Sequence, residues 1–282
     1  MNYRFFVLNV LFLGIPLGVQ GSAWEQKSST VKITGFPAIG MGSIAEDISR
    51  GAPARVQTTV SDKFGNVHSL VLQSDLIEVA RESKTYSSGS FNEINVEAIS
   101  GNVVISPSED EAVSIDAITR AHSKDQAKDL QADFLVQDNK LIIQTKLLKD
   151  VVQAVIDYHI KMPVMPLKVS TVNGSIIIEN AQNSVDVSTK TGNIDVKFGP
   201  IAPDAAISLN SKTGNIVITL SEDSNVEIDA RTKMGKMATE MSQLPVQSSI
   251  IGAKLQGTLG KSDKGATISV ESDTGNIDIK NR

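Results

Sequence analysis

Few residues in this sequence have the types and spacing that catalysis or metal binding requires. The chain has no cysteine, which excludes a thiol nucleophile, a disulfide and a lipidated N-terminal cysteine. Its histidines, His68, His122 and His159, lie far apart and show no His-Glu-x-x-His spacing. No serine stands in a Gly-x-Ser-x-Gly turn. The sequence therefore predicts no metal, no cofactor and no catalytic residue, and we expect that the protein is not an enzyme.

Acidic residues form the one pattern that could support a chemical function. In the last third of the chain they alternate with apolar residues, at Asp186, Asp195, Glu227, Asp229, Glu271 and Asp278. If strands stack there, some of these side chains project in rows from one outer face. We therefore predict a candidate binding face formed by Asp186, Asp195, Glu271 and Asp278.

Two readings of that face remain open. Two carboxylates about 5 to 9.5 Å apart in a cleft could cleave a glycan. The alternative is a solvated face whose charges keep the sheet soluble and protect it from edge pairing. The sequence places no cleft-forming aromatic residues beside the acids, which favours the solvated face. Calcium is a further possibility in the acidic loops at residues 108–111 and 221–223, but neither has an EF-hand pattern.

These acids lie within a repeat. Its units are residues 169–178, 187–196, 209–218, a degenerate copy at 228–237, and 270–279. Their glycines, Gly174, Gly192, Gly214 and Gly235, follow at intervals of 18, 22 and 21 residues, and Gly275 comes 40 residues later. A period near 20 residues is typical of stacked units that cannot bury an apolar face alone.

Each unit has two short strands joined by a tight turn. Apolar residues alternate on both sides of Gly192-Asn193, for example at Val187 and Val196, and glycine tolerates the positive φ of a reversal. The side-chain pattern fits a hairpin, and it equally fits an arc between two sheets. The short, near-constant period favours an all-β solenoid, or β-helix, and a β-sandwich of hairpins is the alternative.

The elements before the repeat are also mainly strands. Ile94, Val96 and Ala98 alternate with polar residues, and residues 140–145 and 154–162 have the same character. Ser123 and Gln126 match a capping box, and Ala127, Leu130 and Phe134 follow at helical spacing. We therefore predict one amphipathic helix packed on the β domain.

The N-terminus reads as an export signal. Arg4 precedes an apolar stretch at residues 5–19, and small residues follow at Gly21, Ser22 and Ala23. We predict a signal peptide at residues 1–23, a segment of uncertain structure at 24–90, and a β-repeat domain at 91–282. No later segment is apolar enough to span a bilayer. A net charge of -5, without a dense basic patch, gives no indication of nucleic-acid binding.

The turns Thr171-Val-Asn-Gly-Ser-Ile176 and Thr191-Gly-Asn-Ile-Asp-Val196 resemble a bacterial family of exported β-repeat proteins named putative adhesins. The segments at residues 158–163 and 255–260 extend the resemblance to about residues 91–281. The resemblance implies location in the cell envelope. Because the family is largely of unknown function, the resemblance implies no active-site residues.

From these patterns we expect an exported, non-catalytic protein, periplasmic or at the cell surface. It would act as a scaffold or adhesin-like binding module whose partner is an envelope protein or glycan. The alternative is an enzyme that acts on envelope polysaccharide through carboxylates on a solenoid face. A concave groove with two close carboxylates would favour the enzyme.

Overall fold

The computed structural model describes residues 8–11, 56–61, 67–72, 76–148, 154–260 and 265–282. The chain divides into two compact units, residues 1–77 and residues 78–282. The described part of the first unit is an antiparallel sheet of three strands, in the order β1 (Leu8–Leu11), β2 (Val56–Ser61) and β3 (Val67–Leu72). The predicted cleavage region, residues 21–23, lies outside the described residues.

The second unit is built mainly from strands. They are β4 (Ile77–Ser87), β5 (Glu93–Ser100), β6 (Val103–Pro107), β7 (Ala112–Ala121), β8 (Leu130–Gln137), β9 (Lys140–Leu147), β10 (Ala154–Met162), β11 (Leu167–Asn173), β12 (Ile176–Ala181), β13 (Val185–Thr191), β14 (Ile194–Phe198), β15 (Ala206–Thr213), β16 (Ile216–Leu220), β17 (Val226–Met234), β18 (Met237–Thr239), β19 (Val246–Ser248), β20 (Ala253–Leu259), β21 (Ala266–Thr274) and β22 (Ile277–Asn281). A short helix, α1 (Lys124–Ala127), and a 3₁₀ turn (Ser88–Ser90) complete the elements. In the described part of the chain, no helix is long and apolar enough to cross a membrane.

The strands form two sheets. The nine-stranded sheet has the order β18-β22-β16-β14-β12-β6-β10-β7-β4, and the ten-stranded sheet has the order β19-β20-β17-β21-β15-β13-β11-β5-β9-β8. The two strands of one repeat, such as β13 and β14, belong to different sheets, and each pairs in parallel with its equivalents in neighbouring repeats. The predicted solenoid is confirmed. Hairpins are wrong for these repeats, because the two strands of a repeat do not pair with each other.

Period-two alternation explains which side of each strand is buried. In β14, Ile194, Val196 and Phe198 are buried, while Asp195 and Lys197 point away from the core. Ile194 pairs with Ile176 on one side and Ile216 on the other, so the apolar rows run in register through the stack. The core residues that the pattern predicts are all fully buried: Val187, Ile194, Val196, Leu209, Ile216, Ile218 and Ile277.

A column of glycines forms the turn between the two sheets. Gly101, Gly174, Gly192, Gly214, Gly275 and Gly235 have positive φ between 117° and 158°. The glycines also stack on one another. A Cβ atom on Gly214 would overlap the carbonyl oxygen of Gly192, and one on Gly275 would overlap that of Gly214. The turn therefore requires glycine for its backbone angle and for the close approach of the next coil.

Two columns of polar side chains run beside the glycines. Buried hydroxyls donate to glycine carbonyls of the neighbouring coil, as from Ser272 to Gly214 at 3.2 Å and from Thr232 to Gly275 at 2.7 Å. Asparagine side chains accept from the backbone N–H of the next coil, as when Asn276 donates to Asn215 Oδ1 at 2.8 Å. Each coil thus satisfies polar backbone groups of its neighbour at the turn.

The predicted amphipathic helix is only partly confirmed. Ser123 caps it as expected, because its side chain accepts a hydrogen bond from the backbone N–H of Gln126. However, the helix ends at Ala127, and Leu130 and Phe134 lie in strand β8. Leu130 and Phe134 still share one face, because residues four apart in a strand project to the same side. Their spacing therefore does not distinguish a helix from a strand.

The coils do not stack in chain order. Strands β21 and β22, which we call the inserted coil, lie between β15/β16 on one side and β17/β18 on the other. The inserted coil pairs in parallel with both neighbours. The degenerate repeat of β17 and β18 precedes it in sequence and lies beyond it in the stack.

Candidate binding surface

The four residues of the predicted face lie on two different sheets. Asp186 and Glu271 project from β13 and β21 of the ten-stranded sheet, and Asp195 and Asp278 project from β14 and β22 of the nine-stranded sheet. The two strands of a repeat face each other across the core, so their outward side chains point away from different sheets. The expectation of one common face is therefore not met, and each pair must be treated separately.

Ion pairs dominate the outer face of the ten-stranded sheet. Lys168 Nζ lies 3.1 Å from Asp186 Oδ2 on the adjacent strand. Glu271 contacts two cations of β17, Arg231 at 2.8 Å and Lys233 at 3.3 Å. The hydrogen bond from Arg231 lowers the pKa of the Glu271 carboxyl, and the bond from Lys233 adds to this effect. These carboxylates are neutralised by neighbours on the same face.

The other predicted acids of this sheet are also on its outer face. Asp229 accepts a hydrogen bond from Gln256 at 2.8 Å, and Glu227 is exposed beside it on β17. Asp273 lies 2.6 Å from Lys233, and the hydrogen bond from Lys233 lowers the pKa of the Asp273 carboxyl. The arrangement resembles a network of exposed ion pairs, each worth little stability in solvent.

The nine-stranded sheet carries a different row, which we call the mixed row. It consists of Ile177, Asp195, Val217 and Asp278, which are adjacent and in register on four neighbouring strands. All four are half-buried. Among the described residues, neither Asp195 nor Asp278 has an ion pair, and the Oδ1 atom of Asp195 is shielded from solvent without a hydrogen-bond partner. The mixed row therefore presents unneutralised carboxylates beside β-branched side chains.

The geometry of the mixed row does not favour paired-carboxylate catalysis. Asp195 and Asp278 lie on strands separated by β16, so two strand spacings place them about 10 Å apart. Val217 lies between them on β16. The five aromatic residues of the described ranges, Tyr86, Phe91, Phe134, Tyr158 and Phe198, are buried or pack against the core. No aromatic side chain of the described residues therefore flanks the row.

Two concavities occur elsewhere in the second unit. A cavity of about 40 Å³ lies beside Met162, Asn180 and Asn183, and an open groove of about 530 Å³ is lined by Ala80, Ala117, Leu130 and Ala132 among others. None of the four predicted acids lines either of them. The predicted acids thus lie away from these two depressions.

Within the second unit, His122 and His159 lie apart. His159 lies on the outer face of β10, opposite Asp116, and His122 is exposed just after β7. His68 lies in β3 of the first unit. Within the described ranges, no three His, Asp or Glu side chains are close enough to hold a metal ion.

One buried carboxylate escaped the sequence analysis. Asp157 lies on β10 with its side chain only 8% exposed, 3.0 Å from Arg120 Nε. Its Oδ1 atom accepts the backbone N–H of Asn102 at 2.8 Å, so it begins the column of asparagine acceptors. The sequence gives no signal that Asp157 is buried and accepts a backbone hydrogen bond, because an acidic residue in an alternating strand is normally solvated.

Comparisons with known proteins support the fold. Residues 157–280 match the family described as Toastrack DUF4097. The chain is similar to a putative cell adhesion protein from Clostridium sporogenes, with 16% identity, a TM-score of 0.55, and coverage of 72% of this chain and 99% of that chain. A putative adhesin from Bacteroides fragilis matches with 14% identity, a TM-score of 0.33, and coverage of 72% and 98%. No curated protein matches the chain.

The Clostridium structure supports the architecture alone, because its sequence identity is below one quarter. The family match covers strands β11 to β21 and parts of β10 and β22, and it contains every glycine of the column except Gly101. Residues 157–280 are therefore similar to the Toastrack DUF4097 family, and the resemblance to a β-repeat family of unknown function is confirmed.

Proposed function

We propose that this protein is exported and acts without catalysis as an adhesin-like binding module or scaffold at the cell envelope. The observation that carries the proposal is the mixed row, where Asp195 and Asp278 are unneutralised and alternate with Ile177 and Val217 on a regular sheet. Short side chains in register give a surface that another extended molecule can follow over several strands. The similarity to a structure named a putative cell adhesion protein is in accord with this role.

The two acidic pairs differ in what they offer a partner. On the ten-stranded sheet, Lys168 and Arg231 already neutralise Asp186 and Glu271, so a partner would have to displace them. On the nine-stranded sheet, a cation or a hydroxyl-rich glycan meets free carboxylates beside apolar methyl groups. We therefore place the binding surface on the mixed row rather than on the ten-stranded sheet.

The test compares matched variants of the two sheets. Purified protein, lacking the predicted signal peptide, is labelled and titrated against washed envelope fractions of the source cells. The double variant Asp195→Asn with Asp278→Asn should weaken binding about tenfold, as expected when two charged contacts of about 0.7 kcal/mol or more each are lost. The control Asp186→Asn with Glu271→Gln should bind like the natural protein. Both should unfold at nearly the natural urea concentration.

Three results would overturn the proposal. The first is an equal loss of binding in both double variants. The second is that the natural protein binds the envelope fraction no better than an unrelated acidic protein does. The third is release of soluble sugar from the envelope fraction by the natural protein and not by the Asp195/Asp278 variant, which would establish the glycan-cleaving alternative. Export is checked separately, by the N-terminal sequence of the protein recovered outside the cytoplasm, which should begin near residue 24.

A further inference from the structure

Strands β17 to β22, which we call the end block, form one packed group. Within it, β17 pairs with β20 and β21, and β18 pairs with β22. The remaining strands of the second unit form the body. Among the described strands, the end block pairs with the body at one place only, where the inserted coil meets β15 and β16.

That junction repeats the chemistry between other coils. Gly214 donates its backbone N–H to Thr274 and Ile216 donates to Asn276, each at 2.9 Å. Asn276 donates back to Asn215 Oδ1 at 2.8 Å, and Ser272 Oγ donates to the Gly214 carbonyl at 3.2 Å. The body therefore presents donors and acceptors that match those of the inserted coil.

A single connection links the two parts along the chain. Residues 221–225, between Leu220 of β16 and Val226 of β17, pass the inserted coil to reach the far side of it. This loop is short and exposed at Glu222 and Asp223. A loop of this kind can also extend away from the body of its own chain and carry the end block with it. The junction surface of that body is then free to bind another end block.

We propose that the junction is an interaction surface for a second copy of this chain, with the end block of each copy docked on the body of the other. The exchanged dimer makes the same contacts at both junctions as the monomer, so it costs only the entropy of association and the change in the loop. Protein concentration and loop length then decide between monomer and dimer. This inference goes beyond the proposed envelope role and does not depend on it.

The absence of cysteine allows a clean test by disulfide trapping. Ser208 of β15 and Ser269 of β21 are direct partners across the junction. Their spacing as neighbours on paired strands suits a disulfide. Two single variants, Ser208→Cys and Ser269→Cys, are mixed, unfolded in urea, refolded together and oxidised. Exchange places one cysteine from each chain side by side and gives a mixed disulfide dimer.

The control uses two coils that lie within the body. Ser170 and Ser188 are partners on β11 and β13, so Ser170→Cys and Ser188→Cys report collisions between refolded chains. Because folded exchange raises the effective thiol concentration to roughly the millimolar range, the Ser208/Ser269 pair should give at least about tenfold more mixed dimer than the control pair at micromolar protein. Equal yields from the two pairs would overturn the proposal.

A second measurement uses the natural loop and needs no cysteine. Deleting Glu222 and Asp223 leaves three residues, which reach about 10 Å when extended. The connection must span two strand spacings of about 4.8 Å each and must also pass from the nine-stranded to the ten-stranded sheet. The shortened chain should therefore elute as a dimer with unchanged circular dichroism. Inserting two glycines at the same position should give a monomer. A folded, monomeric deletion variant at all concentrations would contradict the exchange.

Discussion

Replacing Gly214 by alanine is expected to destabilise the solenoid far more than a glycine change normally does. Gly214 has φ of 149°, a conformation that an L residue adopts only under strain, at a cost of about 1 to 3 kcal/mol. The added Cβ would also overlap the carbonyl oxygen of Gly192. Relief of that overlap must separate the two coils at the turn.

Separation would weaken two hydrogen bonds that join these coils. Ser211 Oγ donates to the Gly192 carbonyl at 3.2 Å, and the Gly192 N–H donates to Thr213 at 2.9 Å. Each such bond contributes about 1 kcal/mol, so the total loss should be about 3 to 5 kcal/mol. For a domain of this size, that lowers the Tm by roughly 10 °C.

The assay is urea unfolding followed by circular dichroism, together with the thermal midpoint. Gly89→Ala is the matched control, because the nearest atom to an added Cβ there is Ser87 Oγ at 4.0 Å. The control should shift the unfolding free energy by less than about 1 kcal/mol. If the two variants unfold at the same urea concentration, the stacked column does not hold the coils together and the reasoning is refuted.

Three further outcomes follow from the same packing. Ile216→Asp should prevent folding, because it buries an unpaired charge. The outward change Thr219→Asp on the same strand, between Lys197 and Lys280, should fold normally, as circular dichroism will show. Asn215→Ala should cost about 0.5 to 1.5 kcal/mol in urea unfolding, because it removes an exposed hydrogen bond that joins two coils. Glu271→Gln should lower stability at pH 7 by up to about 1 kcal/mol. Because the folded carboxyl has a lowered pKa, that difference is present above the unfolded pKa and should vanish as the pH falls through the folded value. A difference that persisted at low pH would show that the ion pairs are not its cause.

The sequence predicts the repeat well, because every coil carries the same physical requirements. Alternation at Val187 and Ile194 fixes which side is buried, and the Gly-Asn pair marks each turn. The choice between hairpin and arc could not be made from these residues. The choice depends on which strands pair, and the partner of each strand lies one whole repeat away in the sequence. The near-constant period was the signal that favoured the correct answer.

The candidate site was less accessible to sequence reasoning. Outward orientation of Asp186 and Asp195 follows from alternation, but their assignment to different sheets requires knowing that the turn between strands is an arc. Neutralisation of Glu271 by Arg231 depends on the inserted coil lying next to β17. If the coils stacked in the order of the sequence, β15 would be the neighbour of β17 instead. Nothing in the repeat spacing, other than the doubled interval before Gly275, indicates the insertion.

The columns at the turn also bear on how the length of such a protein can change. The coil of β13 and β14 makes glycine and hydroxyl contacts on both of its sides. Its Asn193 donates its backbone N–H to Ser175 Oγ on one side and accepts from the Asn215 N–H at Oδ1 on the other. A duplicated coil placed beside it could therefore make the same kinds of contact with its neighbours, and the stack would grow by about 4.8 Å. Intervals of 18, 22 and 21 residues between the glycines show that loops absorb differences in repeat length. Duplication of the segment that encodes one coil can therefore lengthen the solenoid by one coil at a time.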